Sequence, residues 1–127
     1  MKIVMFGAGF MAMPVFAASE IVNVTFNGMA VTADKATAAA GPVTFKVKND
    51  GTIKHMFIVM KTDTPFDKLP LITGKADEAA GEVIGRMDEF ASGTKDLTVT
   101  LKPGAYILLC NVVGHYMGKM RMAFTVK

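Results

Sequence analysis

The chain has 127 residues, with one cysteine, two histidines and 11 methionines, and it carries 14 basic against 11 acidic side chains. That length suits one domain, and an apolar share of 51% excludes a disordered chain. A formal charge of +3 with no basic run excludes a nucleic-acid-binding footprint, and a lone cysteine excludes an internal disulfide.

Residues 1–17, MKIVMFGAGFMAMPVFA, have the form of an export signal peptide: Lys2 is the positive start, 3–13 is apolar, and cleavage is expected after Ala17 or Ala18. The apolar stretch is shorter than the ~20 residues a membrane span needs, and no later stretch exceeds it. An uncleaved N-terminal anchor is the competing reading. A periplasmic domain over 18–127 follows, with 13 basic and 11 acidic residues once Lys2 is removed.

Within that domain, 21–29 alternates, with Val22, Val24 and Phe26 on the apolar side of a half-buried strand. Asn27-Gly28 is a tight-turn pair, and 30–32 continues into a second short strand. Segment 34–40 is alanine-rich and made of small residues, with weak helical propensity at best. Residues 43–48 alternate again, with Val43, Phe45 and Val47 inward. Asn49-Asp50-Gly51 then reads as a turn that pairs the next run, 52–60, back as a hairpin. From Met56 onward that run is apolar on both faces, so something other than the opposing sheet must cover it. The cover is expected from 61–94, an irregular excursion with Pro65, Pro70 and several glycines, folded as a packed flap. Within it, 75–80 allows a helical turn or two stopped by Gly81, and 82–87 a short strand. Residues 96–101 alternate, Lys102-Pro103-Gly104 is a turn, 105–110 is a continuous apolar strand, 111–119 is a loop, and 121–127 is a closing strand. Seven to eight strands with one short helical excursion indicate an all-β, Greek-key β-sandwich.

The chemistry concentrates in 106–122, YILLCNVVGHYMGKMRM, where Cys110, His115 and Met120 fall at Cys-x4-His-x4-Met. A thiolate, an imidazole and a thioether, completed by the one other histidine, His55, form the soft donor set that copper prefers. Two imidazoles and a thiolate with a weak axial thioether make the blue-copper electron-transfer site. Each residue alone has an ordinary explanation: His55 as a core histidine, Cys110 as a small buried hydrophobe, Met120 as one methionine among many. Together they use every histidine and the only cysteine. His55 shares a face with Phe57 and Val59, and Cys110 with Leu108 and Tyr106, so both point inward. Met117 and Met122 remain competing axial candidates.

These residues resemble the cupredoxins, the small blue copper proteins, through Tyr106-x3-Cys110-x4-His115-x4-Met120 and a His55 that opens an apolar strand after Asn-Asp-Gly. The loop spacing is most similar to that of rusticyanin and sulfocyanin. Departures are Val113 where members often have proline, Gly118-Lys119-Met120 where many read Gly-Met, and Met56 where asparagine usually follows the first histidine; Asn111 is a candidate replacement tether. The resemblance implies one copper ion and electron exit through a partly exposed His115 edge. Gly114, Tyr116, Met117 and Pro103 would form an apolar docking patch around it. It also implies transient redox partners such as a cytochrome or a terminal oxidase or reductase, and a monomer.

Two other functions compete. A periplasmic copper chaperone or resistance protein would use the surplus methionines near the loop. Multicopper oxidases and copper nitrite reductases need further histidines that the chain lacks, which argues against an enzyme.

Overall fold

The computed structural model describes residues 19–127, so the export-signal reading of 1–17 lies outside the described residues. Among the described residues there are eleven strands and one short 3-10 turn. Three of the strands are two-residue bridges, β3 (Thr37–Ala38), β6 (Leu71–Ile72) and β7 (Lys75–Ala76). The other eight match the expected strand count. They are β1 (Glu20–Asn27), β2 (Ala30–Ala33), β4 (Gly41–Asn49), β5 (His55–Lys61), β8 (Glu82–Phe90), β9 (Gly93–Leu101), β10 (Gly104–Leu109) and β11 (Arg121–Val126).

Two sheets face each other, ordered β2-β1-β4-β9 and β3-β11-β10-β5-β8. The alternating strands bury one side each: Val22, Val24 and Phe26 from β1 and Val43, Phe45 and Val47 from β4 meet Phe57 and Val59 from β5 and Phe124 from β11. Phe45 anchors this core, with ring centroids 5.4 Å from Phe57 and 5.6 Å from Phe124.

Three expectations are corrected. First, β4 and β5 do not form a hairpin. β4 pairs with β1 and β9, whereas β5 pairs with β10 and β8 in the opposite sheet. The Asn49-Asp50-Gly51 turn is therefore an arch between sheets. Asn49 shapes it by accepting from Gly51 N at 3.0 Å and donating to the carbonyls of Ile53 and Phe90 at 2.9 and 2.8 Å. A tight two-residue turn would have kept both strands in one sheet; 50–54 is long enough to cross. Second, the β1–β2 turn has Gly28-Met29 at its centre, since Asn27 pairs with Ala30. Third, β8 runs nine residues, through Phe90, beyond the expected 82–87.

The expected flap is present but shorter than 61–94: β8 and β9 of the two sheets follow it, and it spans 62–81. It places Leu69 and Ala76 on the outward side chains of β5 and β10, Ile58, Met60, Ile107 and Leu109, and forms a second apolar cluster with Tyr116. Its 3-10 turn, Glu78–Ala80, is capped by Asp77 and ends at Gly81. Glycine is needed there because a Cβ would lie 2.8 Å from Met60 and 2.9 Å from the Lys61 carbonyl.

Candidate metal centre

His55 opens β5, where the arch from the other sheet lands, and its ring meets Phe26 edge-on at 5.1 Å. Cys110 directly follows β10, at the same end of the sandwich. Between β10 and β11 the chain makes the 110–120 loop, wound by internal bonds from His115 N to Val112 O (2.8 Å), Gly118 N to Gly114 O (2.9 Å) and Met120 N to His115 O (3.0 Å). Gly114 carries a φ of +82°, a conformation that costs glycine nothing. The loop closes where Cys110 N donates to Met120 O at 3.1 Å.

His55, Cys110 and His115 are thereby brought together. Their Nδ1, Sγ and Nδ1 atoms form a triangle with edges of 3.1 Å (His55 to His115), 3.4 Å (Cys110 to His115) and 3.8 Å (Cys110 to His55). The point equidistant from all three lies about 2.0 Å from each. That is close to the ~2.0–2.3 Å at which nitrogen and sulfur bind a first-row ion such as zinc. His55 is 1% exposed, Cys110 and Met120 are fully buried, and His115 is half-buried. Met120 packs in the inter-sheet core beside Cys110, while Met117 is 53% exposed and Met122 is partly buried on β11.

Burial favours the neutral form of both His55 and Cys110. Burial pushes the His55 pKa down; the Gly28 carbonyl bonded to the ring opposes this and the neighbouring His115 adds to it. Burial pushes the Cys110 thiol up, against backbone N–H groups of Val112 and Met56 that point at the sulfur, with Glu89 adding a small push upward. Those two N–H groups would stabilise a thiolate once a cation replaced the proton.

The expected docking patch is only partly right. Pro103 sits at the far end of six-residue β10 from Cys110, and Tyr116 is buried at 2% exposure. Met117 is exposed beside the loop as expected, and the further exposed apolar residues there are Val113 and, on the flap hairpin, Leu71 and Ile72. Gly114 N donates to Gly74 O at 2.8 Å and fixes that hairpin against the loop. Asn111 does act as a tether, to the flap. It accepts from Ala76 N at 2.9 Å and donates to Ala76 O and Glu78 Oε2, both at 3.0 Å. Glu78 also pairs with Arg86. Burial pushes the Glu78 carboxyl up, but the bonds from Asn111 and Arg86 and the charges of Arg86 and Lys75 outweigh it, leaving the pKa lowered. Two anchors went unread in the sequence, the Tyr116 hydroxyl and the Asn49 amide. An asparagine before Asp-Gly and a tyrosine in a glycine-rich loop carry local turn signals that masked their long-range bonds.

Over 87% of this chain and 99% of theirs, the coordinates superpose on an auracyanin from Roseiflexus castenholzii with a TM-score of 0.64. The fold is that of the cupredoxins. Sequence identity to that auracyanin is 24%. Auracyanin A, a blue copper protein of Chloroflexus aurantiacus, has the same cupredoxin fold at a TM-score of 0.59 and 22% identity, over 87% of this chain and all of that one. Rusticyanin from Thiobacillus ferrooxidans aligns at a TM-score of 0.57 and 18% identity, over 87% of this chain and 79% of its own. No family model matches the chain, and no curated protein is similar to it in sequence.

Proposed function

We propose that this cupredoxin-fold protein is a small exported blue copper protein that carries single electrons between redox partners. The carrying observation is the buried triangle of His55, Cys110 and His115 donor atoms, sized for one ion. His55, Cys110 and His115 hold the copper in this reading, and Met120 supplies the axial thioether. Bound copper supplies a one-electron couple that no side chain here offers. Zinc fits the donor distances but recruits four strong ligands in structural sites, and a thioether is a weak one.

The chain's own part is threefold. The sandwich holds His55 and the loop at fixed separation, so little rearrangement accompanies electron gain or loss. Burial of Cys110 and His55 excludes water from the donor atoms. The half-buried His115, rimmed by Val113, Met117, Leu71 and Ile72, is the contact through which electrons pass to a transiently docked partner, a cytochrome or a terminal oxidase or reductase. The carrier acts as a monomer in the periplasm after loss of residues 1–17, and it is not an enzyme.

Copper reconstitution followed by visible and paramagnetic-resonance spectra tests this. The wild type should show an intense thiolate-to-copper band and reversible one-electron cycling, and Cys110→Ser should lose the band. A band that survives in Cys110→Ser removes the thiolate ligand and the reading with it. A second reading, copper delivery, draws on two exposed methionines, Met117 and Met29, the latter packed so close to Gly118 that an added Cβ there would lie 2.9 Å from its Cε. Rapid loss of Cu(I) to a competing chelator, without stable redox cycling, would favour it.

A further inference from the structure

Three of the four donors lie in one loop, and the bonds that hold this loop from outside are one-sided. Apart from the contact between the two imidazoles, every hydrogen bond that runs from 111–120 to a described residue outside 110–121 ends in segment 66–78. Asn111 reaches Ala76 and Glu78, Gly114 N reaches Gly74 O, and the Tyr116 hydroxyl donates to Phe66 O at 2.8 Å and accepts from Leu69 N at 3.0 Å. The side chains of Asn111 and Tyr116 are 1% and 2% exposed. Their bonds are therefore shielded from competing water, and losing one strands buried polar groups. The arch that delivers His55 is held separately, by Asn49 to Ile53 and Phe90. The two halves of the donor set are thus suspended from different parts of the fold.

We infer that the 66–78 segment is a positioning clamp for the donor loop, with Asn111 and Tyr116 as the positioning residues. The clamp adds, from outside, to the bonds by which the loop is wound within itself. This rests on the copper reading only for its effect on the metal, and the clamp itself can be tested in metal-free protein. The clamp acts on the direction and spread of the Cys110, His115 and Met120 side chains, since each belongs to the segment that Asn111, Gly114 and Tyr116 pin at three points. The same bonds hold the flap hairpin, which carries Leu71 and Ile72, against Val113 and Gly114 of the loop.

The test uses the full domain, wild type, Asn111→Ala and Tyr116→Phe. The Tyr116→Phe change keeps the ring in place under Arg121, 4.9 Å from its centroid, and removes only the hydroxyl. In metal-free protein, amide hydrogen exchange is read at His115, Gly118, Lys119 and Met120 and compared with β1 and β4. The expected result is exchange at least tenfold faster in the loop and in 66–78, with β1 and β4 changed by less than twofold. In copper-loaded protein the expected result is broadened copper hyperfine lines and electron self-exchange slowed about tenfold. Cys110 charge transfer is retained in both variants. Loop exchange equal to wild type in both variants overturns the clamp, as does acceleration spread evenly over loop and strands, which is the mark of a general loss of stability. Loop-selective exchange with no thiolate-to-copper band in the wild type leaves the clamp standing and defeats the copper reading, so the two failures are told apart.

Discussion

Phe45 and Tyr116 are both fully buried aromatics, yet they belong to different clusters and do different work. Phe45 lies between the sheets, packed against Phe57 and Phe124, with no polar atom and no bond to the donor loop. Tyr116 lies on the outer side of the second sheet, under the flap, and its hydroxyl joins the donor loop to Phe66 and Leu69. The inter-sheet cluster makes the sandwich. The outer cluster attaches the metal loop to it. The proposed copper site would thus depend on two packing layers whose damage should be distinguishable.

The largest effect is expected at the inter-sheet layer. Phe45→Ala removes a ring at the centre of the main core and should cost about 3–5 kcal/mol. Chemical denaturation would measure the loss, and the copper spectrum of whatever remains folded should match wild type. Leu69→Ala strikes the outer layer, where Leu69 is 4% exposed, and should cost about 2–3 kcal/mol. Here the copper hyperfine lines should change even though the stability loss is smaller. An unchanged spectrum for Leu69→Ala, or an altered one for Phe45→Ala, would break the division of labour.

A third effect concerns the arch side of the site. Burial lowers the His55 pKa below its ordinary 6.5, with Gly28 opposing and His115 reinforcing. Between the lowered folded value and 6.5, the unfolded chain binds a proton that the native chain refuses. Metal-free protein should therefore lose stability as pH falls below about 6.5, by at most ~1.4 kcal/mol per pH unit from this group. His55→Leu should flatten that part of the curve in pH-dependent melting. The stabilising contribution of the Glu78 carboxylate, whose pKa is lowered, is lost at more acid pH, below its ordinary 4.5, and should persist in His55→Leu.

The same division explains what the sequence made legible. Strands of the inter-sheet layer announce themselves by period-two alternation, so Val22-Val24-Phe26 and Val43-Phe45-Val47 were readable as inward faces. The meeting of His55, Cys110 and His115 was readable because only two histidines and one cysteine exist to be used. Periodicity carries no information on which strand pairs with which. Asn49-Asp50-Gly51 has the composition of a hairpin turn, and only the packing of β4 and β5 onto opposite faces of one core makes it an arch. The flap was foreseeable from the double-sided apolar run of β5, which needed cover. Its bonds were not, because Asn111 and Tyr116 meet partners 33–50 residues away through single atoms, and no local pattern encodes such a contact.

The smallest effect bears on whether the loop is shaped from inside or outside. Lys119 has a φ of +79°, in the left-handed region that side chains other than glycine rarely occupy. It holds that conformation while its N–H reaches Tyr116 O at 2.9 Å and its carbonyl accepts from Arg121 N at 2.8 Å. Lys119→Gly relieves backbone strain of about 1 kcal/mol, offset in part by the greater freedom of glycine in the unfolded chain. The net gain should be about 0.5 kcal/mol, read as a small rise in melting temperature. If Asn111, Gly114 and Tyr116 fix the loop from outside, the copper spectrum of Lys119→Gly stays that of the wild type. A changed spectrum would mean that Lys119 itself directs Met120 toward the metal, and the outer layer would lose its claim to position the site.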